Sequence, residues 1–158
     1  MRASIGWLVV LALSVVAAAA QNRQATAKGL DIYVVDVEGG NATLFVSPSG
    51  ASVLIDSGNP GPAATRDADR IMAAVKDAGL AQIDHLITTH WHGDHYGGMA
   101  ELAARIPIRN YIDHGPNVQP AAATDEFLQK TYPQLYAKAQ HRSRGRATRL
   151  PSPASTRS

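Results

Sequence analysis

The sequence predicts an α/β fold with α+β layering, in which an antiparallel meander precedes alternating helices and strands. Three short runs rich in β-branched and aromatic residues come before the first helical pattern. Helix and strand patterns then alternate along the rest of the chain, as they do in layered α/β proteins. Of the 158 residues, 45% are hydrophobic and 18% are charged, which excludes wholesale disorder.

The predicted meander consists of strands at residues 31–37, 43–46 and 52–55. The segment SPSG at residues 47–50 joins the second strand to the third and is a hairpin signal. A cluster of Asp, Ser, Gly, Asn and Pro at residues 56–62 follows the third strand and predicts a long turn.

The alternating part begins with a helix that Thr65 caps and that runs to about Ala78, with Gly79 at the position after its C-terminal cap. The remaining predicted elements are a strand at 83–88, a helix at 98–105, a strand at 106–112 and a helix at 125–140 that Pro133 breaks or restarts. If the helices cover one face of the sheet, little of the sequence is left to cover the other face.

Residues 1–20 have the pattern of a signal peptide. Arg2 supplies the positive charge, residues 7–16 form a short apolar run, and three Ala residues at 18–20 give a cleavage pattern before Gln21. The alternative is a membrane anchor, for which this run is short and rich in Ala. We therefore expect an exported protein, periplasmic or extracellular, with no membrane attachment after cleavage.

Residues 141–158 form a basic segment with five Arg, no acidic residue and no apolar periodicity. Three interpretations stay open: a disordered tail that contacts nucleic acid or lipid head groups, a solvated tail, and out-of-frame coding sequence. Residues 21–141 hold nine of the fifteen Lys and Arg and all thirteen Asp and Glu, which leaves a net charge of −4. The folded part therefore gives no strong case for nucleic-acid binding.

A dense group of metal-binding side chains follows the strand at 83–88. The segment HWHGDH contains His90, His92, Asp94 and His95. The carboxyl end of a strand is where α/β sheets place their sites, and imidazole with carboxylate suits Zn²⁺, Fe or Mn²⁺. The chain has no Cys, so thiolate ligands and a thiol nucleophile are excluded. We expect Gly93, Gly97 and Gly98 to give this loop the backbone freedom to curl.

These residues resemble the signature of the metallo-β-lactamase superfamily, His-x-His-x-Asp-His after a β-strand. The segment LIDSG at residues 54–58 resembles the superfamily's first motif, a strand that ends in Asp-x-Gly. Residues 34–44 are similar to the opening strands of the branch that contains the hydrolase domain of DNA-uptake competence proteins. Glu38, Gly39 and Asn41 depart from that branch's pattern.

The resemblance implies that residues 21–140 are the N-terminal half of an αββα sandwich with one or two zinc ions at one edge. His90 and His92 would bind the first metal. Asp94 and His95 would bind the second, and Asp94 would also be the catalytic residue. Asp56 would orient the ligands or their loop. Such a site would use a metal-activated hydroxide on an ester, thioester, lactam or phosphodiester, and the small-molecule substrate is not specified by the sequence.

The family completes its site with a third His, a bridging Asp and a last His in the second half of the fold. After residue 95 the chain contains only His114 and His141. His114 ends a strand, so a place in the cleft and a surface turn both stay open. His141 opens the basic segment with no predicted strand before it, and neither residue is predicted to be a ligand. We expect His85 to be structural or exposed, and Trp91 to pack in the core or line the cleft.

Two interpretations of function follow. The first is an exported zinc-dependent hydrolase. The second is a truncated, non-catalytic fragment that binds metal weakly. In either case half a sandwich would expose one apolar sheet face, which predicts self-association through that face.

Overall fold

The computed structural model describes residues 29–144, so the predicted signal peptide lies outside the described residues. The strands are β1 (Asp31–Val34), β2 (Thr43–Val46), β3 (Ser52–Ile55), β4 (His85–Ile87), β5 (Asn110–Asp113) and β6 (Gln140–Ser143). The helices are α1 (Pro62–Asp77), α2 (Gly93–Tyr96), α3 (Met99–Ala103), α4 (Ala122–Glu126) and α5 (Tyr132–Leu135), with a π-helical segment (Phe127–Thr131) between the last two. Within residues 29–144, no helix is long and apolar enough to cross a bilayer.

The strands form one six-stranded sheet in which the spatial order equals the chain order. β1, β2 and β3 are antiparallel to one another, whereas β3 to β6 are parallel. Each parallel connection contains helix and moves one strand further along the sheet. Because such connections are almost always right-handed, helices reached in this way fall on one face. The predicted meander followed by α/β alternation is therefore confirmed.

One row of side chains across the sheet faces the helices. The register places in this row Tyr33, Leu44, Leu54, Leu86, Tyr111 and His141. At one end, the hydroxyl of Tyr33 donates a hydrogen bond to Asp77 at the end of α1, with a length of 3.0 Å. At the other end, the ring of His141 stacks on Tyr136 just after α5, with centroids 4.0 Å apart. The whole helix layer thus packs on this face, where Leu44, Leu54 and Leu86 are fully buried.

The opposite face carries a second row of apolar side chains. Its members on β2, β3 and β4 are half-buried, and they include Phe45, Val53, Ile55 and Ile87. On the edge strand β1 the side chains of Ile32 and Val34 are 54% and 82% exposed. This face is called the open face below.

Helix α1 begins four residues earlier than the sequence predicts. Gly61, at φ 64°, is its N-terminal cap, and Pro62 occupies the first turn. Proline is favoured there because its missing N–H would have no partner in the helix. Thr65 therefore lies inside the helix, and its predicted capping role is wrong. The predicted C-terminal glycine is confirmed: Gly79 has φ 68°, and the N–H of Leu80 bonds to the carbonyl of Val75 at 3.0 Å.

Two helical predictions need correction. The histidine segment is a loop only as far as His92, since α2 begins at Gly93. The last helical stretch ends at Leu135, five residues before its predicted end. The intervening residues 136–139 form the turn into β6.

The basic segment also begins inside the fold. Gln140–Ser143 is β6, which pairs in parallel with β5. The described fold therefore continues past the predicted boundary after residue 140, and the interpretation as a disordered tail does not apply to residues 141–143. Residues 145–158 lie outside the described residues.

Candidate metal centre

The candidate site lies where three neighbouring parallel strands end. Asp56 directly follows β3, the histidine segment begins three residues after β4, and His114 directly follows β5. Parallel strands place their carboxyl ends at one edge of the sheet, so these segments meet there. The backbone N–H of Asp56 still pairs with the carbonyl of Ile87 at 2.8 Å, which fixes the first segment against the second.

Asp56 is the centre of the hydrogen bonding at this edge. Its side chain is 1% exposed, and its backbone has φ 59°, a left-handed conformation that Asp tolerates better than most residues. The carboxylate accepts hydrogen bonds from the N–H and hydroxyl of Thr89, both at 2.8 Å. It also accepts from Nδ1 of His95 at 2.8 Å and from the side-chain amide of Asn41 at 3.0 Å. A buried carboxylate with four donors is well satisfied.

His90 and His92 bring two nitrogen atoms together. Nδ1 of His90 lies 3.1 Å from the Thr89 hydroxyl, whose single proton goes to Asp56. The hydroxyl oxygen therefore accepts from Nδ1–H of His90, which assigns the free lone pair to Nε2. That Nε2 lies 3.0 Å from Nδ1 of His92. Two nitrogen ligands of one tetrahedral zinc lie about 3.3 Å apart, so this pair is spaced for a shared ion.

Asp94 and His95 form a second pair beside the first. Because Nδ1 of His95 is engaged by Asp56, the free nitrogen is Nε2, and it lies 3.7 Å from Oδ2 of Asp94. The rings of His90 and His95 are 3.9 Å apart between centroids, so the two pairs are adjacent. Within residues 29–144, no three His, Asp or Glu side chains surround a single point. The donors are therefore two pairs rather than one closed cage.

The electrostatics favour neutral imidazole at His90. Burial lowers its pKa below the usual range, and the neighbouring His95 and His92 rings lower it further, although Asp56 and Asp94 oppose them. Neutral imidazole is the form that binds a metal ion. The donor set, two imidazoles in one pair and an imidazole with a carboxylate in the other, fits zinc.

The glycines of this segment serve close packing rather than backbone freedom. Gly97 and Gly98 have ordinary negative φ angles of −64° and −83°. A Cβ on Gly97 would lie 2.1 Å from the nitrogen of Pro60, and one on Gly98 would lie 2.2 Å from the carbonyl of Ser57. The predicted reason for these two glycines is therefore wrong. They let the start of the helix layer lie directly against the loop that follows β3.

A cleft of about 180 Å³ opens beside the first donor pair. Its lining residues are His90, Trp91, His92, His114, Asn117, Val118 and Gln119. Trp91 is 3% exposed, and its indole N–H donates to the carbonyl of Gly115 at 2.7 Å. It also packs against the ring of Tyr132 at 5.2 Å. Trp91 is thus both a core residue and a wall of the cleft.

The other histidines lie apart from the donors. His114 lines the cleft, where its ring is 6.1 Å from Trp91. His141 lies on β6 and bonds to Asp113 rather than to the site. His85 is buried on the open face, and among the described residues its Nδ1 is the buried side-chain atom without a hydrogen-bond partner. None of the three is brought to the donor pairs.

Three site residues were not expected from the sequence. Thr89 and Asn41 hold Asp56, and Gln119 contacts His92. Thr89 adjoins the histidine segment, so its position could have suggested a role. Gln119 is 27 residues from its histidine, and no local pattern signals that contact.

A family model described as "Metallo-beta-lactamase superfamily" matches residues 35–144. This chain belongs to that superfamily, as the His-x-His-x-Asp-His resemblance predicts. The sheet with its single helix layer is accordingly part of an α/β sandwich domain, and the predicted fold class is confirmed. The assignment of His90, His92, Asp94 and His95 as ligands, and of Asp56 as their orienting residue, stays a prediction.

Curated relatives match only part of their own length. The lactamase-like protein aptB of Emericella nidulans is 35% identical over 83 residues, 47% of this chain and 26% of the relative. The thioesterase pkgB of the same organism is 33% identical, over 49% of this chain and 22% of the relative. A hydroxyacylglutathione hydrolase of Stenotrophomonas maltophilia is 34% identical, over 40% of this chain and 21% of the relative. The chain therefore spans about a quarter or less of these relatives.

Two solved structures also match this chain over only part of their own length. The metallo-β-lactamase MIM-1 from Novosphingobium pentaromativorans is 27% identical, with a TM-score of 0.42, over 54% of this chain and 29% of that protein. MEM-A1, a subclass B3 metallo-β-lactamase from a soil metagenome library, is 24% identical, with a TM-score of 0.43, over 65% of this chain and 34% of that protein.

Proposed function

We propose that this protein is an exported zinc-dependent hydrolase. The observation that carries the proposal is the pairing of donor atoms. Nε2 of His90 faces Nδ1 of His92 at 3.0 Å, and Nε2 of His95 faces Oδ2 of Asp94 at 3.7 Å. Membership of the superfamily supports hydrolysis as the reaction class.

The second ring nitrogen of each proposed histidine ligand already has a partner outside the donor pairs. Nδ1 of His90 bonds to Thr89, Nδ1 of His95 bonds to Asp56, and Nε2 of His92 bonds to Gln119. Such bonds fix the tautomer and the ring orientation and make the remaining nitrogen a better ligand. We therefore assign the first zinc to His90 and His92 and the second to Asp94 and His95.

Each part of the site has a distinct chemical task in this proposal. Bound zinc would supply an activated water at neutral pH and would polarise a carbonyl or phosphoryl oxygen. Asp94 would place its carboxylate beside that water, and Asp56 would hold Thr89 and His95 in position. Trp91 and the residues at 117–119 would exclude bulk water from the cleft.

Relatives' names select the first substrates to test among esters, thioesters, lactams and phosphodiesters. One relative is named a thioesterase and another a hydroxyacylglutathione hydrolase. We therefore propose small thioesters as the first candidates. Export is supported by the charged, apolar and small-residue pattern of residues 1–20.

A non-catalytic chain that binds metal weakly is the second candidate. The observation that favours it is that, in the described part of the chain, the donors occur in pairs and no third side chain completes either pair. A pair of ligands holds zinc less tightly than the three or four protein ligands of ordinary zinc sites.

Zinc titration of the purified chain tests the proposal. Equilibrium dialysis should give up to two zinc ions per chain. The double variants His90→Ala/His92→Ala and Asp94→Ala/His95→Ala should each remove one ion. The matched control, His85→Gln, changes a histidine on the open face and should leave the stoichiometry unchanged. No zinc binding by the unaltered chain would contradict both candidates.

Turnover separates the two candidates. The zinc-loaded chain is assayed with thioesters, hydroxyacylglutathione among them, and with an ester, a lactam and a phosphodiester. Chelation should abolish the rate, and adding zinc back should restore it. Zinc binding without turnover on any of the four substrate classes would favour the non-catalytic candidate. A rate that survives the loss of both donor pairs would contradict the proposed mechanism.

A further inference from the structure

We propose that Gln119 is a positioning residue that sets the tautomer of His92 and so presents Nδ1 to the metal. This inference rests on the proposed function. It adds a residue that lies outside the His-x-His-x-Asp-His motif and outside the strands.

The side-chain carbonyl oxygen of Gln119 lies within hydrogen-bond reach of Nε2 of His92. A carbonyl oxygen can only accept, so Nε2 of His92 must carry the proton. The lone pair of the ring then belongs to Nδ1, which is the atom that faces Nε2 of His90 at 3.0 Å.

The side of the His92 ring that Gln119 contacts fits a positioning role and not direct ligation. Gln119 approaches Nε2 of His92, whereas the point shared with His90 lies at Nδ1, on the other side of the ring. An oxygen on the Nε2 side cannot also reach that point. The contact therefore suits the outer carbonyl partner that metal-binding histidines use, rather than a third ligand.

The loop after β5 holds Gln119 in place. The side-chain amide of Asn117 donates to the backbone carbonyl of Gln119 at 2.7 Å. In return, the backbone N–H of Gln119 donates to the side-chain carbonyl of Asn117 at 3.1 Å. Two reciprocal bonds fix the backbone of Gln119, so its side chain reaches His92 from a defined point.

Each proposed histidine ligand has an outer hydrogen-bond partner from a different segment. Thr89, in the loop after β4, accepts a hydrogen bond from Nδ1 of His90. Asp56, at the end of β3, accepts one from Nδ1 of His95. Gln119, in the loop after β5, accepts a hydrogen bond from Nε2 of His92. Three neighbouring strand ends thus each fix one imidazole.

The variants isolate the accepting oxygen. Gln119→Leu removes the acceptor with only a small loss of side-chain volume, and Gln119→Asn keeps the amide but shortens its reach. Gln119→Glu keeps an accepting oxygen at the same reach. The matched control is Gln129→Leu, the same change at an exposed position of the π-helical segment.

The first measurement needs no metal. In the metal-free full chain labelled with ¹⁵N-histidine, the His92 ring should show the Nε2–H tautomer, assigned by its loss in His92→Gln. Gln119→Leu and Gln119→Asn should mix the tautomers, whereas Gln119→Glu and Gln129→Leu should not. An unchanged His92 spectrum in both Gln119→Leu and Gln119→Asn would overturn the inference. A failure of the proposed zinc site would leave this readout intact.

The second measurement is zinc affinity by competition with a chromophoric chelator. Gln119→Leu should weaken binding at the first site by about 10- to 100-fold, which is the usual effect of removing an outer partner. Gln119→Glu should restore it, and Gln129→Leu should have no effect. At saturation with Co²⁺, the visible absorption bands of Gln119→Leu should match those of the unaltered chain. Shifted bands would mean that Gln119 is itself a ligand and would overturn the positioning role, as would unchanged affinity.

Discussion

Nε2 of His141 lies 2.7 Å from Oδ2 of Asp113, and this contact joins the last described strand to its neighbour. The carboxylate of Asp113 is almost fully buried and also accepts from the hydroxyl of Tyr132 at 3.0 Å and from the N–H of Gly115 at 2.7 Å. Burial and the nearby Asp113 raise the pKa of Tyr132, so its hydroxyl stays a donor. His141 therefore has a structural partner in place of a metal.

We predict that His141→Phe destabilises the chain by roughly 1–3 kcal/mol, because a buried carboxylate loses one donor while the ring can still stack on Tyr136. Urea unfolding measures the change. Ser143→Ala, at the exposed end of β6, is the control and should have little effect. Equal stability of His141→Phe and the unaltered chain would show that the contact with Asp113 does not secure β6.

Gly40 should tolerate no side chain. An added Cβ would lie 2.0 Å from the backbone carbonyl of Asp94, so Gly40→Ala must push the start of α2 away. We expect a loss of about 1–3 kcal/mol, as for other overpacked sites, together with weaker binding of the zinc assigned to Asp94 and His95. Unfolding and zinc stoichiometry measure the two effects. Gly29→Ala, which meets no atom within 4 Å, is the control.

The stability of the loop after β3 should depend on pH through Asp67. Burial opposes ionisation of this carboxyl, but the N–H and amide of Asn59 and the guanidinium of Arg66 hold its pKa below the usual range of about 4. The folded state therefore favours the carboxylate. Its contribution to the free energy of unfolding is fully present above the usual pKa and is lost as the pH falls through the lower folded value.

Urea unfolding of the unaltered chain and of Asp67→Asn at pH 6 and pH 2.5 tests this dependence. The stability difference between the two proteins should be large at pH 6 and should shrink at pH 2.5. Asp69→Asn, an exposed carboxylate on the same helix, is the control and should cost little at either pH. A difference for Asp67→Asn that is the same at both pH values would contradict the assignment.

We propose that a second copy of the chain pairs with the edge strand β1, whose apolar side chains lie on the open face. Leu30, Ile32 and Val34 alternate along this edge and are 57%, 54% and 82% exposed. An apolar edge strand is a template for strand pairing. Sedimentation velocity should show association that rises with concentration and falls in Val34→Lys.

Val118→Lys is the matched control for this association, since Val118 is 83% exposed and lies outside the sheet. It adds the same charge and should leave association unchanged. A chain that stays monomeric at all concentrations would contradict the proposal. Association of Val34→Lys that is as strong as that of the unaltered chain would also contradict the proposal.

The sequence predicted elements whose pattern is local. Residues 43–46 and 52–55 form the strands that their β-branched residues indicate. Gly79 ends α1 because only a residue that tolerates φ 68° closes that turn well. The signature at 90–95 also predicted the superfamily, because its ligand types lie within six residues.

Features that depend on distant contacts were not predicted. The sequence of β6 is polar and basic. The strand lies at the edge of the sheet, and its contact with the helix layer is made by His141, so it needs no apolar pattern. Composition says little about such a strand, whose pairing is through the backbone. Gln119 was also not predicted. It contacts His92 because the loop after β5 folds back to the cleft, and its neighbours in sequence give no sign of that contact.

The four donors on Asp56 have a consequence for how the protein folds. Asn41 precedes β2, whereas Thr89 and His95 lie in the segment after β4, and these donors reach Asp56 only after β2, β3 and β4 have paired. An unfolded chain would offer zinc no such arrangement. Metal that binds only the native state would therefore raise the melting temperature by an amount that grows with the free metal concentration and with its affinity for the assembled edge, so the melting curve reports on whether this edge has assembled.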